Sequence, residues 1–253
     1  MKIKLFLFVS LLFILSGCNI VQVEEEKRFS LASEGIDSIQ LSLSYGDVQV
    51  IGEADRTEIE VVATFFAYGE EMDEAAGFLE KNLQLTLEKK ENQAVLQTKI
   101  DRSEMTTNDG RLHLVLYVPN SLAIHHRQES GMLSVQHIRN EIDIVHGAGN
   151  IEIADVDGNI KIVDSVGTIT ADNVTGDLEI NNNSGQLTIN ELVGNAKLIA
   201  GKGDLEVHHV IGNVSLRSGS GSVEMNDIKG DVDILENAGG EINITNVEGT
   251  IFE

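Results

Sequence analysis

The sequence predicts an all-β fold: a parallel, β-helix-like solenoid of 18-residue, two-strand coils, preceded by a β-rich N-terminal region with one helix. Three observations predict it. Glycines recur at 131, 149, 167, 185, 203 and 221, always 18 apart, and a further copy begins at Gly240 after an inserted Gly239. A second glycine falls nine residues into most copies (Gly158, Gly176, Gly194, Gly212, Gly230, Gly249), with Asn140 in that place in the first. Between the glycines, five positions in each copy are apolar, as in Ile151, Ile153, Val156, Ile160 and Ile162, and across six full copies none of the thirty breaks the rule. Such regularity is the mark of a repeat architecture.

One coil cannot bury its apolar row alone, but coils stacked about 4.8 Å apart can, and six or seven of them give a rod about 30 Å long. An antiparallel meander is the rival. Strict 18-residue register favours the solenoid, because it sets identical positions above one another.

Element by element, residues 1–17 read as a secretory signal: Lys2 and Lys4, an apolar run from Leu5 to Leu15, then Ser16 and Gly17. Leu15-Ser16-Gly17-Cys18 resembles a bacterial lipobox, which implies that Cys18 carries lipid at the start of the mature chain. Cys18 is the only cysteine, so no disulfide can form within the chain and the core alone holds the fold. Residues 18–34 read as the lipidated cysteine and a polar tether. Residues 35–130 form the β-rich region, with period-two runs at Ile39–Leu43, Val48–Val50, Ile59–Ala63, Leu83–Leu87 and Leu112–Val118. Within it, Met72, Ala75, Ala76, Leu79 and Leu83 fall at helical spacing and predict a helix over about 70–82, with acids in its first turn. Pro119 stops the last of these strands. Residues 131–253 are the solenoid repeats, and the last copy stops before its coil is complete. That open edge predicts either self-association end to end or coverage by a folded-back element, with the N-terminal strands capping the other end.

The formal charge is −23, and loss of Lys2 and Lys4 with the signal takes it to −25. This argues against nucleic acid as a partner and against lying flat on anionic lipid. Aromatics make up 4% of the chain and Trp is absent, which leaves no stacking platform for bases or sugars.

Among candidate sites, Asp143, Lys161, Glu179 and Lys197 share one repeat position, so stacking lines them into a surface ladder of alternating charge. Asn159, Asp177, Asn195, Asn213 and Asp231 follow the mid-repeat glycine and read as turn formers with stacked side chains. No cofactor is assigned. Acidic turn residues such as Asp155, Asp157, Asp177, Asp227 and Asp231 are the one place for weak calcium binding, but the Gly-Gly-x-Gly-x-Asp run of a calcium roll is missing from every copy. His125-His126 and His208-His209 point to opposite faces of a strand and make no metal site by themselves. Glu152, Lys161, Glu179 and Lys197 are the only patch that could serve a glycan-active enzyme, and no catalytic residue is assigned. "HGAGN" (His146–Asn150) lacks an accompanying nucleophile elbow.

The lipobox, the "EEMDEAAGFLEKN" helix, the strand ending in Val118-Pro119, and "ESGMLSV" leading into the repeats together resemble a known group. It is the bacterial "putative adhesin" family of β-strand-repeat proteins, the domain-of-unknown-function 4097 group, over roughly residues 36–253. The resemblance implies a β-solenoid-like surface protein and brings no active-site residues. The expected function is a lipid-anchored, non-enzymatic binding, adhesin-like or spacer role on the outer face of the bacterial cell membrane, or on the outer membrane. Its partner would be an envelope or host-surface protein or glycan. The alternative is an envelope-stress or signalling accessory that binds a membrane protein through residues 35–120; a glycan-active enzyme ranks third.

Overall fold

A computed structural model describes residues 21–100 and 109–253. The signal-like segment and Cys18 lie outside the described residues. The chain opens with β1 (Val21–Ala32), β2 (Ser38–Tyr45), β3 (Asp47–Glu53) and β4 (Glu58–Gly69), followed by the helix α1 (Met72–Asn82). Next come β5 (Leu83–Lys90), β6 (Gln93–Ile100) and β7 (Asp109–Pro119), then β8 (Ala123–Ser130) and β9 (Leu133–Gln136). The repeats supply β10 (Ile142–Ala148), β11 (Ile151–Asp157), β12 (Ile160–Val166), β13 (Ile169–Thr175), β14 (Leu178–Ser184) and β15 (Leu187–Val193). They continue through β16 (Ala196–Lys202), β17 (Leu205–Ile211), β18 (Val214–Ser218), β19 (Val223–Ile228), β20 (Val232–Asn237), β21 (Ile242–Val247) and β22 (Ile251–Phe252).

These strands form two 11-stranded sheets. Sheet A runs β1-β4-β7-β3-β9-β11-β13-β15-β17-β19-β21, and sheet B runs β22-β20-β18-β16-β14-β12-β10-β8-β2-β6-β5. From β8 onward the chain alternates between sheets, and like strands pair in parallel with an 18-residue offset, as Ile142↔Ile160 and Ile160↔Leu178. The fold is therefore the parallel solenoid the repeat predicts. Its five apolar positions point inward: Ile151, Ile153, Val156, Ile160 and Ile162 are each at most 2% exposed.

The inward positions step by two within a strand but by three from Ile153 to Val156, and the backbone shows why. Asp155, Asn173, Glu191 and His209 hold φ of 52–57°, one per coil at the same place. A single left-handed residue there bends each sheet A strand and turns the next side chain back into the core. The position is never aliphatic, because its side chain stands in solvent.

Both sheets cross residue 131 without a break. The β2–β3 segment is already a coil, stacked on β8–β9 in parallel (Ile39↔Ile124, Val50↔Val135). The coil β6–β7 stacks on its other side. The chain thus lays down one coil, leaves to build the cap, returns with a coil outside the first, and then passes beyond it.

At this end the pairing turns antiparallel: β4 on β7, β1 on β4, and β5 on β6. α1 packs Ala75, Phe78 and Leu79 against this end, touching β4, β1 and β5. The stretch read as a tether is corrected here, since Val21–Ala32 is a 12-residue edge strand. Val23, Phe29 and Leu31 pack against the core on its inward side. The charged run Glu24–Arg28 masks that alternation in the sequence and guards the edge against further pairing.

Among the described residues nothing folds back over β21 and β22, and Ile251 and Phe252 are 42% and 52% exposed. The extra residue of the last copy is also placed differently from the sequence reading. Pairing jumps from Leu216↔Ile234 to Arg217↔Glu236, so the insertion is taken up as a bulge at Leu235 rather than at Gly239. Among the described residues no helix is long and apolar enough to cross a membrane.

Candidate functional site

The second residue of each sheet B strand must face outward, because its neighbours on both sides point into the core. Parallel register therefore stacks Asp143 on Lys161, Lys161 on Glu179, and Glu179 on Lys197. The row continues through His125 at one end and Ser215 and Asp233 at the other. Lys197 Nζ donates to Glu179 Oε1 at 3.0 Å. That hydrogen bond, then the charges of Lys197 and Lys161, hold the Glu179 carboxyl below the usual carboxylate range. Both side chains remain about half exposed or more, so the pair contributes little stability.

This row is the floor of a groove of about 820 Å³ running along the rod. Its wall is the turn between sheets, with Asn159, Asp177, Asn195, Asn213 and Asp231. Each wall residue caps the next coil. Asn159 Oδ1 accepts from Asp177 N at 2.9 Å, Asp177 Oδ1 from Asn195 N at 2.9 Å, and Asn195 Oδ1 from Asn213 N at 3.0 Å. Asn213 Oδ1 accepts from Asp231 N at 2.8 Å, and Asp231 Oδ1 from Thr250 N at 2.8 Å. Those oxygens help to hold the stack, so the wall is tied coil to coil and turn chemistry explains its composition.

Glu152 lies on β11 in sheet A, whereas Lys161, Glu179 and Lys197 lie on sheet B. The structure therefore does not bring that patch together. Of the acidic turn residues, Asp155 and Asp227 sit on the left-handed ridge, while Asp177 and Asp231 cap the wall. Among the described residues no group of three or more His, Cys, Asp and Glu side chains is placed to hold a metal ion. His125 faces the groove and His126 the core, as alternation requires.

The sequence reading missed a polar column inside the rod. The third inward position of sheet B holds Gln128, His146, Asp164, Asn182 and Ser218, all buried, with Ala200 completing the row. His146 Nδ1 lies 2.8 Å from Asp164 Oδ1, and its Nε2 lies 3.0 Å from Gly131 O. Asn182 Nδ2 donates to Gly167 O and Gly185 O at 3.2 Å each. Gln128 Nε2 donates to Gly46 O and to Ser130 O. The column thus serves the inward-facing carbonyls of the glycine turns. Asp164 Oδ2 and Asn182 Oδ1 find no protein donor.

Beside this column His126, 3% exposed, has Nε2 at 2.8 Å from Gln128 Oε1. Burial pushes its pKa down to about 4, against the Gln128 hydrogen bond and with a smaller push from His146. The unfolded chain takes up this proton near 6.5, the folded one only near 4. Stability from this group is therefore complete above about pH 6.5 and is lost as pH falls toward 4, by about 3 kcal/mol at most. Urea unfolding of wild type and His126→Leu, each at neutral pH and near pH 4.5, checks it. The substitution should remove most of that slope; an unchanged slope would place the acid sensitivity elsewhere.

Three solved structures resemble the chain at low identity. A "putative lipid binding protein" from Parabacteroides distasonis is 13% identical, covers 90% of this chain and 93% of its own, and superposes with a TM-score of 0.48. A "putative cell adhesion protein" from Clostridium sporogenes is 12% identical over 90% and 97% of the two chains, with a TM-score of 0.34. A "putative adhesin" from Bacteroides fragilis is 14% identical over 89% and 95%, with a TM-score of 0.30. Likeness at this level says nothing of what the chain binds. No curated protein matches it. The family model Toastrack DUF4097 matches residues 36–252, nearly the whole described rod. The chain belongs to the Toastrack DUF4097 family.

Proposed function

We propose that this chain is a non-enzymatic binding rod displayed on the outer face of a bacterial envelope, held there by lipid on Cys18 and making its contacts through the sheet B groove. The observation that carries the reading is the groove itself: a continuous, regularly spaced trough of about 820 Å³ along a wall tied coil to coil. Its charged floor alternates in sign and shows no nucleophile–base–orienter arrangement, which suits extended contact better than catalysis. A lipid on Cys18 would set the rod at a membrane surface by burying methylenes at about 0.8 kcal/mol each.

The test uses the full chain in cells. Cys18→Ser should abolish acyl labelling and release the protein from the membrane fraction. A photocrosslinking residue at Ser215, in the groove, should capture a partner, whereas one at Glu152 on the opposite sheet should not. Equal capture from both faces, or none from Ser215, would sink the groove reading. Capture from α1 alone would favour the signalling-accessory reading instead.

A further inference from the structure

The groove floor has a symmetry that points to its partner. Its rungs are evenly spaced at about 4.8 Å, and in order they read Asp143, Lys161, Glu179, Lys197. Consider a twofold axis lying parallel to the strands, between β12 and β14, in the plane where two such faces meet. It reverses the order of the rungs while keeping the strand direction. Asp143 then faces Lys197 of the second copy, and Lys161 faces Glu179; the other two contacts are the same pairs exchanged. Every rung meets its opposite charge, and even spacing brings all four into register at once.

We propose that this face is a homotypic interface, in which sheet B of one rod packs on sheet B of a second copy through the self-complementary ladder. It rests on the reading of the groove as the contact surface, and names the partner. A twofold contact of this kind is isologous and closes at two copies. In the neighbouring outward column the two central rungs set exposed Val163 against exposed Asn181, and flanking them Val145 meets Ile199 of the second copy, both half-buried in the single rod. At the rim Arg127 faces Arg217, whose guanidinium is already held by Glu236 at 3.3 Å. The face symmetric about this axis, from β2 to β20, has eight strands, most of seven or eight residues, giving about 900 Å², close to the contribution of one partner to a standard stable interface.

Other registers are worse, which gives the contact its specificity. An axis through the Lys161 rung sets Lys161 against itself and Asp143 against Glu179. An axis through the Glu179 rung sets Glu179 against itself and Lys161 against Lys197. Moving the axis one full rung in either direction leaves two ion pairs instead of four, and in the direction of Lys197 it also sets Asp143 against Asp233. With a formal charge of −23, two copies repel in most orientations, so the register that pairs all four rungs with opposite charges stands out.

Charge swaps test it. Sedimentation of the purified full chain in detergent should show a dimer. The double variants Lys161→Glu/Lys197→Glu and Asp143→Lys/Glu179→Lys should each weaken self-association at least tenfold. An equimolar mixture of the two should restore it, because their ladders are then wholly acidic and wholly basic. A strictly monomeric wild type, or reversals that associate as wild type does, would overturn the proposal. So would an association lost in Ile251→Lys/Phe252→Lys but kept in the ladder variants, since that contact runs through the bare end of the rod. If the chain stays monomeric while the Ser215 crosslinker still captures another envelope component, this inference fails and the groove reading stands. If Ser215 captures nothing, the groove reading itself fails.

Discussion

Asp164→Ala is expected to cost about 3–5 kcal/mol of folding stability, although the residue touches nothing outside the rod. Both Asp164 and His146 are 0% exposed at their side chains and 2.8 Å apart. Removing the carboxylate strips His146 Nδ1 of its Asp164 partner deep inside the rod. The reverse substitution, His146→Leu, leaves the carboxylate with no donor at either oxygen and strips Gly131 O of its contact. The two together behave differently. With His146→Leu/Asp164→Val the column carries no ionisable pair, and it continues the aliphatic packing already present at Ala200 and Leu43 in the same row. Replacing both members of a buried pair with apolar groups is often neutral. Urea unfolding of wild type, His146→Leu, Asp164→Val and the double variant should therefore show the double nearer wild type than either single one, which requires a coupling larger than either single cost, more than about 3 kcal/mol. Simple additivity would show that the pair acts as two independent polar groups.

This column also marks where the sequence stops being readable. The 18-residue period and its five apolar positions are local in the chain, so the coil could be read directly, as could the stacking of Asp143 on Lys161. A polar residue at an inward position, however, reads as an outward one. His146, Asp164 and Asn182 each stand three residues before a turn glycine, and the one clue is that within the glycine repeats their position never holds a large aliphatic residue. The order of the early coils was hidden for another reason. β2 pairs with β8 and β6 across dozens of residues, and that pairing leaves no glycine period behind. The edge strand β1 was lost under its own charge run. The groove was half legible: its floor and its wall were each found as ladders, but only the fold shows that they adjoin along one face while Glu152 lies on the other.

Gly185→Ala should be at least as damaging as loss of Asp164, by more than about 4 kcal/mol, and for a purely backbone reason. At Gly185 φ is +128°, a region that side-chain-bearing residues rarely adopt, and a Cβ placed there would lie 2.0 Å from Gly167 O and 2.6 Å from Gly167 C. Both atoms are main chain, so no rotamer change can make room. Relief requires parting the coils, yet Gly185 N is bonded to Lys202 O at 2.6 Å and Leu187 N to Asp204 O at 2.9 Å on the other side. A shift at one rung is thus passed to its neighbours, because each coil is held by the next. Gly77→Ala is the matched control, since a Cβ on that helical glycine meets nothing within 4 Å. It should leave the protein as stable as wild type or up to about 1 kcal/mol more so. Thermal and urea unfolding of the two variants check the contrast. If Gly185→Ala unfolds with a midpoint near that of wild type, the coils can separate locally at small cost, and the turn glycines are a matter of conformational preference rather than of close stacking.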